Sequence, residues 1–333
     1  MSTRGWVLAR RPLPLAERPA PGAARARVGI PTRAPRRRRN TSDRAGYVFL
    51  IPWFAGLALF TLGPMLFSLY LSFTNYTLLQ APHWVGLANF RRMFSSDPRY
   101  LDSVIVTVKY VAVSVPAKLV IALLIAVLLN RQRRGTGLYR SVFYVPSLLG
   151  ASVSVALVWR SLFGPAGAAD KVLSLAGIHG TAWIDDPRWA LWTLVVLAAW
   201  QFGAPMVIFL AGLKQIPGDL YDAAAVDGAN RWRRFWRITV PMLSPVIFFN
   251  LVLELVGAFQ AFTPAYIISG GTGGPADSTL FYTLYLYEKG FSDFQFGYAS
   301  AMAWIMLAAV GLCTALLFRL ARLWVFYADT GDR

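Results

Sequence analysis

Few side chains in this sequence could do chemistry, and several of them sit inside long apolar runs. Lys118 lies near the middle of one run and Glu254 near the middle of another. An ionisable group at that depth in hydrocarbon is costly and usually faces a cavity or a partner, so the two could pair. Asn250 and Glu254 stand four apart and share a helical face, which Gly257 and Ala261 continue. Gln201, Phe202, Phe259, Gln260 and Phe262 set amides beside aromatic rings. Amides hydrogen-bond hydroxyls and ring faces cover C–H groups, so such a set could hold a polyhydroxylated solute. The alternative is that Asn250 and Glu254 bond to neighbouring helices and that the aromatics only pack.

Catalytic and cofactor-binding patterns are missing from the sequence. It has no G-x-x-x-x-G-K-[ST] to cradle phosphates, no H-E-x-x-H, no Cys/His cluster and no G-x-S-x-G. The Gly-rich stretch Gly270–Pro275 is followed by no helix bearing a lysine, which makes it a poor phosphate loop. His83 and His179 fall in loops. Cys313, the single cysteine, lies in an apolar run, which excludes a disulfide within the chain and a cysteine-based metal site. We therefore expect no catalytic residue, no metal and no cofactor bound by this chain.

The elements that must position these groups are membrane spans. Of 333 residues, 56% are hydrophobic and the mean hydropathy is +0.48, too apolar for a soluble domain of this length. Six runs reach the ~20 residues that a spanning helix needs: Tyr47–Phe73, Val104–Leu129, Val142–Phe163, Trp189–Leu213, Val246–Ile268 and Ala301–Phe326. Helices alone satisfy their own backbone in lipid, so the expected fold is all-α with six transmembrane helices.

The formal net charge of +17 is distributed as in a membrane protein rather than a nucleic-acid binder. Residues 1–44 carry twelve arginines against Glu17 and Asp43, with no apolar core of secretory length, and are expected to form a disordered cytoplasmic tail. The second loop (Arg131, Arg133, Arg134), the fourth loop and the C-terminal end (Arg319, Arg322) are also basic. The odd loops mix signs: Arg91, Arg92, Asp97, Arg99 and Asp102, then Asp170, Lys171, Asp185 and Asp186, then Asp277, Glu288, Lys289 and Asp293. The positive-inside rule then places both termini, including residues 329–333, and the fourth loop in the cytoplasm. Trp53, Trp159, Trp189, Trp200 and Trp324 lie mostly toward span ends, as an aromatic belt would.

The fourth loop, residues 214–245, is too long and too patterned to be a simple connection. Pro217 and Asp219 can open a short helix, with Asp219 accepting from a free backbone N–H. Leu220, Ala223 and Ala224 share a face that lets another surface come close. Gly228 suits a left-handed helix stop, and Asn230 can cap a second helix that carries Arg231, Arg233, Arg234 and Arg237. Composition leaves two readings level: a helix–Gly–helix knob presented to a partner protein, or a basic loop held at the membrane surface.

Asp222, Ala223, Ala224, Asp227, Gly228, Ala229, Phe235, Ile238, Pro241 and Pro245 stand at the spacing of the E-A-A…D-G-A…F…I…P signature, and the loop resembles that of ABC importer permeases. Asp222 departs from it, since the family usually has Glu there; the charge is kept on a shorter side chain. Tyr47–Asn75, Val85–Phe94, Gly270–Phe281 and Phe296–Met302 are similar to the sugar-importing branch, and more narrowly to one membrane subunit of maltose-type and glycerol-phosphate-type importers. The likeness covers roughly residues 45–328 and lacks the large periplasmic insertion of the maltose case.

The resemblance implies a bacterial cytoplasmic-membrane subunit that pairs with a second, homologous permease. It also implies two ATPase subunits that hold ATP and Mg, and an extracytoplasmic solute-binding protein touching Gly270–Pro275. The fourth loop would enter a cleft on the ATPase, and the sugar-like substrate would be met around Phe259–Phe262 and on the span before. A glycerol-phosphate ester is the alternative solute, and an ion-coupled carrier using Lys118 and Glu254 is the rival from another class. No nucleic-acid partner is expected.

Overall fold

The computed structural model describes residues 42–130, 136–150, 152–165, 167–175 and 183–326. Most of the arginine-rich tail, Arg131, Arg133, Arg134, His179 and the C-terminal residues 329–333 lie outside the described residues. Among those described, the only β pairing is two isolated bridges, Thr74 with Trp84 and Thr77 with Gln80; the rest of the regular structure is helical. The chain divides into two units, residues 1–56 and 57–333. The described part of the first is a single helical arm, most of α1 (Ser42–Leu57), with Phe49, Leu50, Ile51, Trp53 and Phe54 exposed.

The second unit runs through α2 (Gly63–Ser72), α3 (Ala88–Ser95), α4 (Pro98–Leu129), α5 (Thr136–Leu149), α6 (Val153–Phe163), α7 (Ala168–Ser174), α8 (Ala190–Trp200) and α9 (Gly203–Gln215). It continues through α10 (Gly218–Val226), α11 (Arg231–Arg234), α12 (Val240–Phe259), α13 (Thr263–Ser269), α14 (Tyr282–Tyr287) and α15 (Phe296–Trp324). The long α4 is its axis. It packs against α8, α9 and α12, and buries Tyr110, Val111, Ser114, Val115, Leu119 and Ala122 between them. Gly212 of α9 lets α12 come close, since a Cβ there would lie 2.8 Å from Leu243 Cδ1 and 2.9 Å from Val246 Cγ2. Large apolar side chains elsewhere remain exposed, including Leu307, Leu312, Leu316 and Leu323 on α15, as hydrocarbon-facing surfaces require.

Four helical stretches are each long and apolar enough to cross a membrane: Phe49–Ser72, Pro98–Leu129, Arg231–Ser269 and Phe296–Trp324. Two more reach that length only when Gly137–Leu149 is counted with Val153–Phe163, and Ala190–Trp200 with Gly203–Gln215. Three expected spans are therefore not single straight helices. Trp189–Leu213 bends by 41° at Gln201–Phe202. There Ser147 Oγ donates to the Gln201 carbonyl (2.9 Å) and accepts from the Ala204 N–H (3.0 Å), satisfying backbone groups freed by the break. Val142–Phe163 is interrupted after Leu149, where Gly150 has φ +57°. Val246–Ile268 stops at Phe259 and resumes at Thr263, and the Ala261 carbonyl accepts from Thr283 Oγ1 at 2.5 Å.

A charged clamp closes one end of the bundle. Asp97, the N-cap of α4, accepts from Tyr285 Oη (2.7 Å) and Tyr298 Oη (2.6 Å). Burial pushes its carboxyl up, but the Tyr298 and Tyr285 hydroxyls and the Tyr100 amide outweigh that and hold it below the usual value. Arg99 grips Asp277 with two nitrogens (2.9 and 3.0 Å) and Glu288 with a third (2.6 Å). The clamp thus ties the start of α4 to the segment 277–298.

Candidate solute cavity and coupling loop

A cavity of about 300 Å³ opens between α4, α8, α12 and the α12–α13 break. Tyr110, Ser114 and Lys118 face it from α4 because residues four apart stack on one helical side. Across from them Glu254 projects from α12, and Lys118 Nζ lies 2.8 Å from Glu254 Oε2 with the side chains 17% and 20% exposed. The pairing that the sequence left open is therefore made.

Gln201 reaches the cavity because α8 ends there, and its Nε2 donates to the Gly150 carbonyl at 3.1 Å. Gln260 and Phe262 reach it because α12 ends at Phe259. Ser114 belongs to the same wall, but its Oγ is buried beside Tyr110 rather than open to the cavity. Amide, hydroxyl, ammonium and carboxylate groups thus share a space with aromatic and apolar walls, a lining suited to a polyhydroxylated solute.

The structure gathers Gln201, Glu254, Gln260 and Phe262 around this space, but not Phe202 or Phe259. Phe202 turns to Phe143, with ring centroids 6.0 Å apart, and Phe259 packs on the apolar core. Each is a chain neighbour of a cavity residue, and the place where the helix stops decides which of the two faces the space. Asn250 is buried and donates to the Val246 carbonyl of its own helix at 3.0 Å, rather than to a neighbouring helix or the cavity. Tyr110 and Ser114 were missed, although their spacing from Lys118 was the signal that could have found them.

The loop after α9 forms the expected helix–Gly–helix. Pro217 is the N-cap of α10 and has no side-chain acceptor, so the cap expected from Asp219 is not made; Asp219 lies in the first turn, where its charge suits the helix dipole. At the other end the Ala229 N–H donates to the Ala224 carbonyl (2.9 Å) and the Gly228 N–H to the Ala225 carbonyl (3.1 Å), with Gly228 at φ +73°. This paired closure is a Schellman stop. Asn230 then caps α11, its Oδ1 accepting from the Arg233 N–H at 2.8 Å.

Phe235 and Ile238 lie in a π-helical turn, Phe235–Thr239, that leads into α12, and Pro241 falls in the first turn of α12. The Tyr221 and Thr239 hydroxyls, 2.9 Å apart, tie α10 to this turn. Asp222, Ala223 and Asp227 are exposed, Ala224 and Ala229 half-buried, and Val226 is 88% exposed. Among the described residues no group of three or more His, Cys, Asp or Glu side chains could hold a metal.

Comparison with known proteins agrees with this geometry. The chain is 53% identical over 284 residues to a probable ABC transporter permease protein, YesP, of Bacillus subtilis (strain 168), covering 85% of this chain and 92% of that protein. It is 33% identical over 286 residues to the lactose transport system permease protein LacF of Rhizobium radiobacter, covering 84% and 95%. Its fold matches a chain of a bacterial alginate ABC transporter, solved in complex with an alginate pentasaccharide-bound periplasmic protein, with a TM-score of 0.73 at 21% identity over 84% of this chain and 95% of that one. Residues 92–325 match the family model for binding-protein-dependent transport system inner membrane components, and this multi-pass membrane chain belongs to that family.

Proposed function

We propose that the chain is a permease subunit of an ATP-driven importer and passes a sugar or sugar-like solute through the cavity between α4, α8 and α12. The observation that carries this is the lining itself: the Gln201 and Gln260 amides with Phe262, at the point where two apolar helices break. Relatives named for lactose transport and an alginate importer of the same fold support a saccharide. The chain works with a second, homologous permease, two ATPase subunits that hold ATP and Mg, and a solute-binding protein that meets the Gly270–Pro275 loop. Counting each bent pair as one gives six spans, with both termini and residues 214–245 in the cytoplasm and membrane lipid around the bundle.

In this reading ATP draws the ATPases together, and the knob around Asp222–Ala229 passes that motion to α9 and α12. The cavity then opens first outward and later inward, with direction set by the different affinities of the two states for ATP and for loaded binding protein. Reporter fusions should score inside at Asn230 and after Arg322, and outside at Gly270–Pro275. An outside score at Asn230 would remove the ATPase from reach and end this reading.

The cavity is tested by Gln260→Ala in the reconstituted importer. Removing a hydrogen-bonding amide should cost about 1–1.5 kcal/mol of solute interaction, or roughly tenfold in the concentration giving half-maximal uptake. Assembly and basal ATP hydrolysis should be unchanged. Uptake kinetics identical to the parent across a panel of mono- and oligosaccharides would remove Gln260 from the path.

A further inference from the structure

The arginines that follow Gly228 have no obvious protein partner within the chain. None of Arg231, Arg233, Arg234 and Arg237 has a carboxylate within ion-pair distance among the described residues. Arg231 and Arg234 stand three apart, so they share a helical side, and both line a cavity of about 510 Å³ just before the apolar run of α12. Its lining is divided. Val127, Leu213 and Phe235 form apolar walls, while Tyr221 and Thr239 present hydroxyls and no acidic residue takes part. Beside it, Trp232 and Trp236 are 69% and 52% exposed, with ring centroids 5.6 Å apart.

We propose that this cavity holds the headgroup of an acidic phospholipid. The phosphate sits between the Arg231 and Arg234 guanidinium groups, whose planar donors suit paired phosphate oxygens. The glycerol hydroxyls lie toward Tyr221 and Thr239, and the first methylenes of the chains run along Val127 and Phe235. Trp232 and Trp236 lie at headgroup depth, where amphipathic rings are favoured. Charge complementarity alone would also admit an acidic protein surface. The apolar surface beside the cavity decides for lipid, because a carboxylate-rich patch would leave the exposed Trp232 and Trp236 uncovered, while a lipid surface covers the rings and supplies the phosphate. Basic pockets beside spanning helices at the membrane surface are known to suit such headgroups.

The test uses the assembled importer in mixed micelles of detergent and phosphatidylcholine with about a quarter phosphatidylglycerol. Micelles have no sides, so the result stands apart from topology. Native mass spectrometry should show phosphatidylglycerol retained over phosphatidylcholine. Arg231→Gln/Arg234→Gln should lower that retention roughly twenty-fivefold, since each cation near an acidic surface contributes roughly fivefold. Arg231→Lys/Arg234→Lys should keep most of it. In the parent protein, raising the salt concentration should release phosphatidylglycerol, which keeps the test decisive if the glutamine variant fails to assemble. Three results would overturn the proposal: retention indifferent to salt or to the glutamine pair, displacement by excess free glycerol phosphate, or loss of the ATPase with phosphatidylglycerol retention unchanged.

Discussion

Gly228→Val should insert and assemble normally, and yet uptake should fall by about tenfold or more. Gly228 holds φ +73° at the stop between α10 and α11. A β-branched residue there costs about 1–2 kcal/mol, which is roughly a tenfold bias away from the native elbow. Within the chain a Cβ at Gly228 meets nothing within 4 Å, so the whole intramolecular cost is conformational. Any further penalty would come from the ATPase surface that we place against the knob. Asparagine tolerates the left-handed region better than most residues, so Gly228→Asn should recover much of the uptake. ATP hydrolysis in the valine variant should also stop responding to loaded binding protein. If Gly228→Val binds ATPase and takes up solute like the parent, the loop does not couple the two and the proposed mechanism fails.

Lys118→Met should cost on the order of 2–3 kcal/mol of stability, because it leaves Glu254 charged and unpaired. A fully buried pair broken on one side typically costs about 3–5 kcal/mol. Here the side chains are 17% and 20% exposed and line a cavity, and water in it lowers the penalty. Lys118→Met/Glu254→Gln removes both charges and should recover more than half of the loss in thermal unfolding of the purified complex, a coupling that a double-mutant cycle measures. A single-variant loss no larger than that of an exposed substitution would mean the pair is not formed in the membrane. Uptake by the double variant then separates two roles. Near-normal uptake makes the pair a brace between α4 and α12, whereas a stable double variant with lost uptake puts the charges in contact with solute.

The helix–Gly–helix loop was legible in the sequence because its determinants are local. A left-handed glycine and a capping asparagine act over three or four residues, and Gly228 and Asn230 do so here. Span breaks are different. At Gln201–Phe202 and Gln260–Phe262 the apolar runs carry only a glutamine and a following proline, Pro205 or Pro264, and the group that satisfies the first break, Ser147 Oγ, is 54 residues away. Within Trp189–Leu213 the one local trace is Pro205, which has no N–H to give the carbonyl four residues back, that of Gln201. The cavity was therefore only half visible. Gln201, Glu254, Gln260 and Phe262 stood out as polar or aromatic side chains in apolar runs, whereas which neighbours face the space depends on where each helix stops. The clamp was hidden for a related reason. Arg99 meets Asp277 and Glu288 across 178 and 189 residues, and the sequence offered only loops of mixed charge.

The Schellman stop at Gly228 and the cap at Asn230 also bear on how this subunit would meet the ATPase that we propose for it. Both are closed by hydrogen bonds within residues 224–233, and the Tyr221–Thr239 contact anchors them to the base of α12. The knob therefore arrives already shaped. In the proposed mechanism its docking is a rigid-body event, without the ordering entropy that a segment folding on its target must give up. A preformed plug of this kind can engage, release and re-engage once per catalytic cycle without refolding, so the speed of transport is not tied to the formation of secondary structure at the joint.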